Sequence, residues 1–204
     1  MIYYPGGKRI FDALGAVAGL FFLWPVIALC ALLVKLDSPG PVFFRQERIG
    51  AGGGTFTLFK FRTMREENVN NKELFEPGSA RRVTTAGKFL RRSKLDEIPQ
   101  LWNVLKGEMS FVGRRPEVVK YADFFQGKFR EVLAQKPGIT DAASIKYRGE
   151  EELLAASGEP ERYYREVILP DKLAMNLQYM KEGITFGKDL RIILLTLGRI
   201  MGRE

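Results

Sequence analysis

An uncharged apolar run from Ala13 to Val34 constrains this chain more than any other feature of its sequence. The run exceeds the roughly 20 residues that a helix needs to cross a bilayer. Pro25 lies near its middle, where a proline removes a backbone hydrogen bond and kinks a helix. The run is too long for a signal peptide, and no small-residue cleavage site follows it. Two alternatives are left: a membrane-spanning helix and a helix broken at Pro25.

The charges on either side of the run favour the broken helix. Lys8 and Arg9 precede the run, and a second basic group follows it. The second group consists of Lys35, Arg45, Arg48, Lys60 and Arg62. Because basic flanks tend to stay on the cytoplasmic side, both ends of the run are expected there. We therefore predict a re-entrant helix over residues 1–36, which enters and leaves through one leaflet, since each arm of about 13 residues would reach only ~20 Å.

Composition excludes several kinds of chemistry. The 204 residues include no histidine and one cysteine, Cys30, so we expect no histidine-activated nucleophile, no histidine-bound metal and no disulfide framework. A hydrophobic content of 46% with 27% charged residues is typical of a globular protein. The net charge of +8 favours anionic partners such as phosphorylated small molecules or an acidic membrane surface. No nucleic-acid-binding module is recognisable, so nucleic acid is not expected as a partner.

A β-hairpin is predicted after the apolar run. Two short β-rich runs, VFFRQ (42–46) and TFTLFKF (55–61), flank the glycine cluster of residues 50–54. Alternation along the second run predicts that Lys60 and Arg62 share a face, where both are suited to binding phosphate.

The remainder of the chain is predicted to form a loop followed mostly by helices. Residues 68–82 are polar and rich in turn formers, which predicts a loop. Helical spacing of apolar residues predicts helix within 116–138 and two amphipathic helices within 169–201. The pattern leaves open whether these basic amphipathic helices pack in the core or lie in a membrane interface.

Two adjacent carboxylates, Asp96 and Glu97, lie among many basic residues. SKLDE fits a capping box with Ser93 as the N-cap, and Pro99 suits the first turn of a helix running towards Lys106. That end of a helix favours negative charge and offers free backbone N–H groups to phosphate. Because neighbouring helical residues diverge by about 100 degrees, the two carboxylates cannot share a proton, and we expect them to take different roles.

This pattern suits a phosphate site with a divalent cation. One carboxylate can attack an electrophile, while the other binds the cation or handles a proton. The flanking arginines, which are suited to binding phosphate, are Arg91, Arg92, Arg114 and Arg115. Mg²⁺ would reconcile carboxylates with phosphate, because it binds oxygens of both. The same pattern also fits a surface helix that carries salt bridges.

Four segments resemble the bacterial sugar transferase family, the small monotopic phosphoglycosyl transferases. They are SPGPVFFRQERIG, FKFRTM, LRRSKLDEIPQLWNVLKGEMSFVGRRPE and KPGIT. The resemblance runs from Lys8 to the C-terminal helices. It implies an α+β, mostly helical monotopic membrane protein with a re-entrant helix, a short hairpin and basic amphipathic interfacial helices. Residues 1–36 would form the re-entrant helix, and residues 37–204 a cytoplasmic catalytic domain at the membrane interface.

The resemblance also implies a reaction on the cytoplasmic face of the bacterial inner membrane. A sugar-1-phosphate would pass from a UDP-sugar to a polyprenyl phosphate, usually undecaprenyl phosphate, with release of UMP. Asp96 would attack the sugar-bearing phosphorus to form a covalent intermediate, and Glu97 would assist as a metal ligand or proton acceptor. Asp96 and Glu97 would also hold Mg²⁺. The basic positions of the family motifs, which are expected to bind substrate phosphates, are Lys60, Arg62, Arg91 and Arg115.

The chain departs from the family pattern at three places. Trp24 stands before Pro25, where many members have serine. Arg114 replaces a proline, which adds a phosphate contact or only changes the loop. Asp141 and Arg148 lie where the PGIT segment diverges, so their assignment to substrate binding rests on a weaker match.

The alternative function is that of a non-catalytic, membrane-anchored interaction protein. The sequence leaves open the identity of the sugar and whether the protein forms a homodimer.

Overall fold

The computed structural model describes residues 5–65, 82–200 and 202. The loop predicted over 68–82 lies outside the described residues, apart from Arg82. The N-terminal half comprises α1 (Pro5–Asp37), β1 (Phe43–Ile49), β2 (Thr55–Phe61), α2 (Thr85–Ser93), α3 (Gln100–Lys106) and β3 (Ser110–Val112). The C-terminal half comprises β4 (Gly138–Thr140), α4 (Ala142–Lys146), α5 (Glu150–Ala156), α6 (Pro160–Tyr163), α7 (Leu169–Lys181) and α8 (Phe186–Ile200). This mostly helical content with short sheets agrees with the expected α+β class.

The predicted hairpin is confirmed. Strands β1 and β2 pair antiparallel, with Phe43 opposite Phe61 and Ile49 opposite Thr55. One face of β2 buries Phe56 and Leu58 against Val104 and Met109, whose side chains come from α3 and the residues after it. The hairpin is therefore fixed directly beneath α3.

A second sheet was not anticipated from the sequence. Strands β3 and β4 run parallel, with Ser110 paired to Gly138 and Val112 to Thr140. A Cβ atom at Gly138 would lie 2.2 Å from the backbone nitrogen of Gly113, so this close approach of two chain segments requires glycine. The short sheet ties the segment after α3 to the segment before α4.

The prediction of helix within 116–138 is only partly right. The chain forms short 3₁₀ segments there, Val119–Phe124 and Gly127–Ala134, instead of a continuous α-helix. The apolar residues of this region still face inward, since Tyr121, Phe125 and Val132 pack in a core cluster with α7. The periodicity therefore identified the buried side chains correctly but not the type of helix.

The two predicted C-terminal helices, α7 and α8, are confirmed, and they differ in burial. Helix α7 buries Leu169, Leu173 and Leu177 in the core. Helix α8 leaves several leucines exposed, including Leu194 at 59% exposure. Core packing thus accounts for α7, whereas the apolar surface of α8 is only partly covered by the described residues.

Helix α1 is 33 residues long, with Pro25 inside it, and is the one helix of the described chain that is long and apolar enough to cross a membrane. At 1.5 Å per residue its length is about 50 Å. One face exposes large apolar side chains, among them Leu14, Phe22, Trp24 and Leu36. These side chains extend along the whole helix, so α1 carries a continuous uncovered apolar surface.

Both halves of α1 pack against the same folded unit. In the N-terminal half, Arg9 donates to the carbonyl oxygens of Val104 and Leu105 at 2.6 Å each, at the C-terminal end of α3. In the C-terminal half, Cys30 and Val34 pack in an apolar cluster with side chains of β2 and α2. The two ends of this long helix are therefore held by one domain.

Candidate active site

The two carboxylates lie on a short 3₁₀ turn, Leu95–Glu97, between α2 and α3. Helix α2 ends at Ser93, whose hydroxyl donates to the carbonyl oxygen of Phe89 at 2.8 Å, so the prediction that Ser93 caps a following helix is wrong. Lys94 instead adopts the left-handed conformation and closes α2. The chain then turns into α3, which ends at Lys106 as predicted. The carboxylates thus precede the first turn of that helix.

Glu97 is held by two cations. Its Oε1 accepts a hydrogen bond from Lys60 Nζ at 2.7 Å and another from Arg115 Nη2 at 2.9 Å. Burial alone would raise the pKa of Glu97, but the charges of Lys60 and Arg115 outweigh that effect and hold the pKa well below the ordinary value of 4.5. Glu97 is therefore a permanently ionised anchor for Lys60 and Arg115.

The surroundings of Asp96 differ from those of Glu97. The residue is 8% exposed, and its Oδ1 atom is buried with no hydrogen-bond partner among the described residues. Burial raises the pKa of Asp96 above the ordinary value of 3.8, against the lowering effect of Lys60. A desolvated carboxylate with an unused acceptor is more reactive towards an electrophile than one engaged in ion pairs. The two carboxylates therefore lie in different electrostatic surroundings.

Asn103 fixes the carboxylate turn relative to the hairpin. Its buried side chain accepts a hydrogen bond from Phe59 N at 3.1 Å and donates to Thr57 O and Glu108 Oε2, at 2.7 Å each. These bonds join α3 to β2, the strand that carries Lys60. The distance between Lys60 and Glu97 therefore depends on the side-chain amide of Asn103.

Helix α2 lies very close to the segment that follows the hairpin. A Cβ atom at Gly87 would lie 2.1 Å from the carbonyl oxygen of Thr63, so only glycine allows this contact. The approach brings Arg91 of α2 to Thr63, where Arg91 Nε donates to Thr63 Oγ1 at 3.0 Å. Arg91 Nη1 also lies 3.3 Å from Glu151 Oε1 at the start of α5.

The other predicted phosphate-binding arginines lie in different surroundings. Arg62 is 4% exposed and donates to the carbonyl oxygens of Ser38 and Pro39, at 2.7 and 2.6 Å, where it closes the end of α1. Arg114 is 1% exposed and donates to the carbonyl oxygens of Ile49 and Gly50. Both guanidinium groups thus bind backbone in the interior, which fits a structural role better than contact with a substrate.

Arg148 and Asp141 lie at the two ends of α4. Arg148 is exposed in the corner between α4 and α5 and forms no hydrogen bond to a described residue. Asp141 is buried, caps α4 by accepting from Ser144 N at 2.6 Å, and accepts from Asn176 Nδ2 at 2.8 Å. Asp141 is therefore accounted for by packing, and Arg148 is free to contact a ligand.

A buried polar network behind Arg115 was missed in the sequence. Tyr164 donates to Glu117 Oε2 at 2.8 Å, and the charge of Glu117 acts on Arg115. Nearby, Lys172 forms an ion pair with Glu150 and is 4% exposed. No local pattern marks these residues, because they come from four separate segments and become neighbours only in the folded chain.

A divalent cation is compatible with the carboxylate turn. No group of three or more metal-ligating side chains occurs among the described residues. Magnesium usually binds through one or two carboxylates and completes its shell with substrate phosphates and water, so a pair of carboxylates is sufficient. The unpartnered Oδ1 atom of Asp96 is the acceptor that such a cation would satisfy.

The chain is similar in sequence to proteins named as undecaprenyl-phosphate sugar-1-phosphate transferases. The chain is 36% identical over 207 residues to the UDP-glucose:undecaprenyl-phosphate glucose-1-phosphate transferase of Xanthomonas campestris pv. campestris, covering 99% of this chain and 40% of that protein. It is 33% identical over 200 residues to the protein of the same name from Caulobacter vibrioides, covering 95% and 69%. A putative undecaprenyl-phosphate N-acetylgalactosaminyl 1-phosphate transferase of Bacillus subtilis is 41% identical over 133 residues, covering 65% and 70%.

The chain thus spans less than half the length of the Xanthomonas relative, although nearly all of this chain is matched. The model of the family described as "Bacterial sugar transferase" matches residues 3–203 of this chain. That range includes the apolar helix α1, the hairpin with Lys60 and the carboxylate turn. The chain belongs to the bacterial sugar transferase family.

Proposed function

We propose that this protein transfers a sugar-1-phosphate from a UDP-sugar to a polyprenyl phosphate, with undecaprenyl phosphate as the acceptor, and releases UMP. The observation that carries the proposal is the carboxylate turn, where adjacent Asp96 and Glu97 have opposite electrostatic states beside an apolar helix. The names of the relatives support the same substrates. They include both glucose and N-acetylgalactosamine donors, so the sugar is left to experiment.

In the first step, the ionised carboxylate of Asp96 attacks the sugar-bearing phosphorus of the UDP-sugar through one oxygen, which leaves the other oxygen for the cation. A bond forms between Asp96 and that phosphorus, the bond to the UMP oxygen breaks, and UMP leaves with the electron pair. The burial of Asp96 supports this role, because little water needs to be displaced before attack.

In the second step, an oxygen of the polyprenyl phosphate attacks the same phosphorus. The bond to Asp96 breaks, and the carboxylate is regenerated for another turnover. Charge accumulates on the phosphoryl oxygens in both steps, and positioned cations stabilise it. Lys60 and Arg115, which pair with Glu97 at 2.7 and 2.9 Å, would supply that charge, and Arg91 and Arg148 would add further positive charge.

We further propose that Asp96 and Glu97 hold Mg²⁺ together with substrate phosphate oxygens. When bound, the cation would neutralise phosphate charge and align the diphosphate for in-line displacement. The residues of the chain keep their separate tasks in this arrangement: Asp96 forms the covalent bond, and Glu97 orients the two cations.

The packing of α1 supports a monotopic arrangement on the cytoplasmic face of the inner membrane. A helix about 50 Å long could reach across a bilayer, yet both of its halves contact one domain. If α1 crossed the membrane, the same domain would need to contact it on both sides. A helix that enters and leaves through one leaflet near Pro25 avoids this conflict, and its uncovered apolar face meets lipid.

Release of UMP tests the proposal. The full chain would be incubated in detergent with undecaprenyl phosphate, MgCl₂ and a panel of UDP-sugars that includes UDP-glucose and UDP-N-acetylgalactosamine. We expect acceptor-dependent UMP release with at least one donor and its loss in Asp96→Asn. Absence of UMP release from the folded, membrane-bound chain with every donor would instead favour the non-catalytic interaction protein.

A further inference from the structure

Lys94 has an unusual backbone conformation at an important position. It is the one non-glycine residue in the described part of the chain with a positive φ, at φ 58° and ψ 15°. Its backbone N–H donates to the carbonyl oxygen of Arg91 at 3.2 Å and so closes α2. Glycine or asparagine is usually found at such a position, because a Cβ atom is disfavoured there. The chain therefore keeps a long cationic side chain where glycine would form the same turn with less strain.

The ammonium group of Lys94 is available for a ligand. Its side chain is exposed and forms no hydrogen bond to any described residue. The other cations near the carboxylate dyad of Asp96 and Glu97 are Lys60 and Arg115, and both are already engaged by Glu97. Lys94 thus places unused hydrogen-bond donors two residues before Asp96. Strained backbone of this kind is concentrated at functional sites in proteins generally.

Lys94 is adjacent in the chain to a residue that packs near α1. The next residue, Leu95, packs against the cluster that contains Cys30 and Val34 of α1. Phe89, one turn before the end of α2, is 56% exposed. The segment that carries Lys94 is therefore held close to the apolar helix, the side from which a phosphate attached to a lipid would approach Asp96.

We propose that Lys94 binds the phosphate of the acceptor lipid and orients it for the second transfer step. This assignment rests on the proposed function. In that step an acceptor phosphate oxygen bonds to the phosphorus carried by Asp96, and the bond between that phosphorus and Asp96 breaks. Lys94 contributes only charge and hydrogen bonds to the acceptor.

Ping-pong kinetics allow the two half-reactions to be measured separately, since kcat/KM for each substrate reports the step that consumes it. We expect Lys94→Asn and Lys94→Gly to lower kcat/KM for undecaprenyl phosphate about 10- to 100-fold, the range for loss of a charge-assisted hydrogen bond. The value of kcat/KM for the UDP-sugar should stay near that of the parent. Because both substitutions suit the left-handed backbone, Tm should be unchanged or higher, and Lys94→Arg should retain most of the activity.

Lys181→Asn is the matched control, because Lys181 is exposed in the last turn of α7 and its loss changes the net charge equally. An equal fall in kcat/KM for the UDP-sugar would assign Lys94 to the nucleotide sugar and overturn the acceptor assignment. The assignment would also be overturned if the Lys94 variants kept both kcat/KM values of an active parent, or if they had a lower Tm with both kcat/KM values reduced. The same loss of kcat/KM for undecaprenyl phosphate in Lys181→Asn would overturn it as well. If the parent releases no UMP, the proposed function itself fails.

Discussion

Asp96 and Glu97 are neighbours in the chain, but their charges affect the folded state in opposite directions. The raised pKa of Asp96 means that its ionised form is disfavoured in the folded protein, so this carboxylate lowers stability at neutral pH. The lowered pKa of Glu97 means that its ionised form is favoured, so Glu97 contributes stability that is present above pH 4.5 and is lost as pH falls through the lowered pKa.

We therefore predict opposite effects for two amide substitutions. Asp96→Asn should raise Tm at pH 7 while it lowers turnover at least about 1000-fold, as expected for loss of a nucleophile. Glu97→Gln should lower the free energy of unfolding by about 2 kcal/mol, less than for a fully buried pair because Arg115 is 36% exposed. Thermal unfolding of both variants in the same detergent tests this. A lower Tm for Asp96→Asn would contradict the electrostatic account of the dyad.

The pH dependence follows from the same residues. Attack requires ionised Asp96, so kcat/KM for the UDP-sugar should fall as pH decreases through a midpoint above 3.8, the ordinary aspartate value. Lys60 is the main charge that opposes the effect of burial on Asp96. Lys60→Gln should therefore move the midpoint to higher pH, measured as residual UMP release over a pH series. Lys181→Gln serves as the control, and a midpoint that stays in place or moves lower would be inconsistent with the assignment.

Several features of the site were visible in the sequence, and others were not. The position of Asp96 and Glu97 just before α3 was predicted from the SKLDE segment and Pro99. Lys60 was predicted to bind phosphate, and its ion pair with Glu97 was not anticipated. Arg62 and Arg114, which were predicted to bind phosphate, bind backbone carbonyls in the interior, and an arginine in either setting has the same local pattern. The network of Glu117 with Tyr164 depends on contacts between distant segments, which no local pattern records.

Among the secondary-structure elements, α3 has the greatest influence on the site. Its position over β2 depends on the hydrogen bonds of buried Asn103 to Phe59 N and Thr57 O. We predict that Asn103→Ala lowers the free energy of unfolding by about 1–3 kcal/mol, because it leaves buried backbone groups unsatisfied. Turnover should also fall, since Lys60 and Glu97 would lose their fixed separation.

Denaturant unfolding and UMP release measured on the same preparation test this prediction. Gln178→Ala is a suitable control, because Gln178 is an exposed amide whose hydrogen bond to Glu182 lies within α7. An Asn103→Ala variant with parental stability and turnover would show that α3 is held by its apolar contacts alone.

The elements were predicted with unequal success for physical reasons. The hairpin and α7 and α8 have strong periodicity, which local sequence determines. The segment from Val119 to Ala134 has helical spacing but forms two 3₁₀ segments, and Gly127, whose φ is 53°, interrupts a continuous α-helix there. Strands β3 and β4 are three residues each and pair across a long separation, so their sequence alone contains too little signal.

At the scale of the whole molecule, the topology of α1 decides how the site would meet the proposed lipid substrate. In a Cys30→Ser background, which removes the chain's single cysteine, new cysteines can be placed at exposed Gly6 and Leu36, near the two ends of the helix. We predict that both are labelled from the cytoplasmic side and that neither is labelled by a membrane-impermeant reagent from outside. Labelling of Gly6→Cys from outside alone would establish a spanning helix and contradict the monotopic arrangement.

The most direct test of the account is mass spectrometry of the protein after incubation with its UDP-sugar and MgCl₂ but without acceptor lipid. We predict one added phosphosugar group per chain, located on the peptide that contains Asp96, absent from Asp96→Asn and lost when undecaprenyl phosphate is added. Accumulation of lipid product under conditions in which no adduct forms on Asp96 would contradict the proposed mechanism.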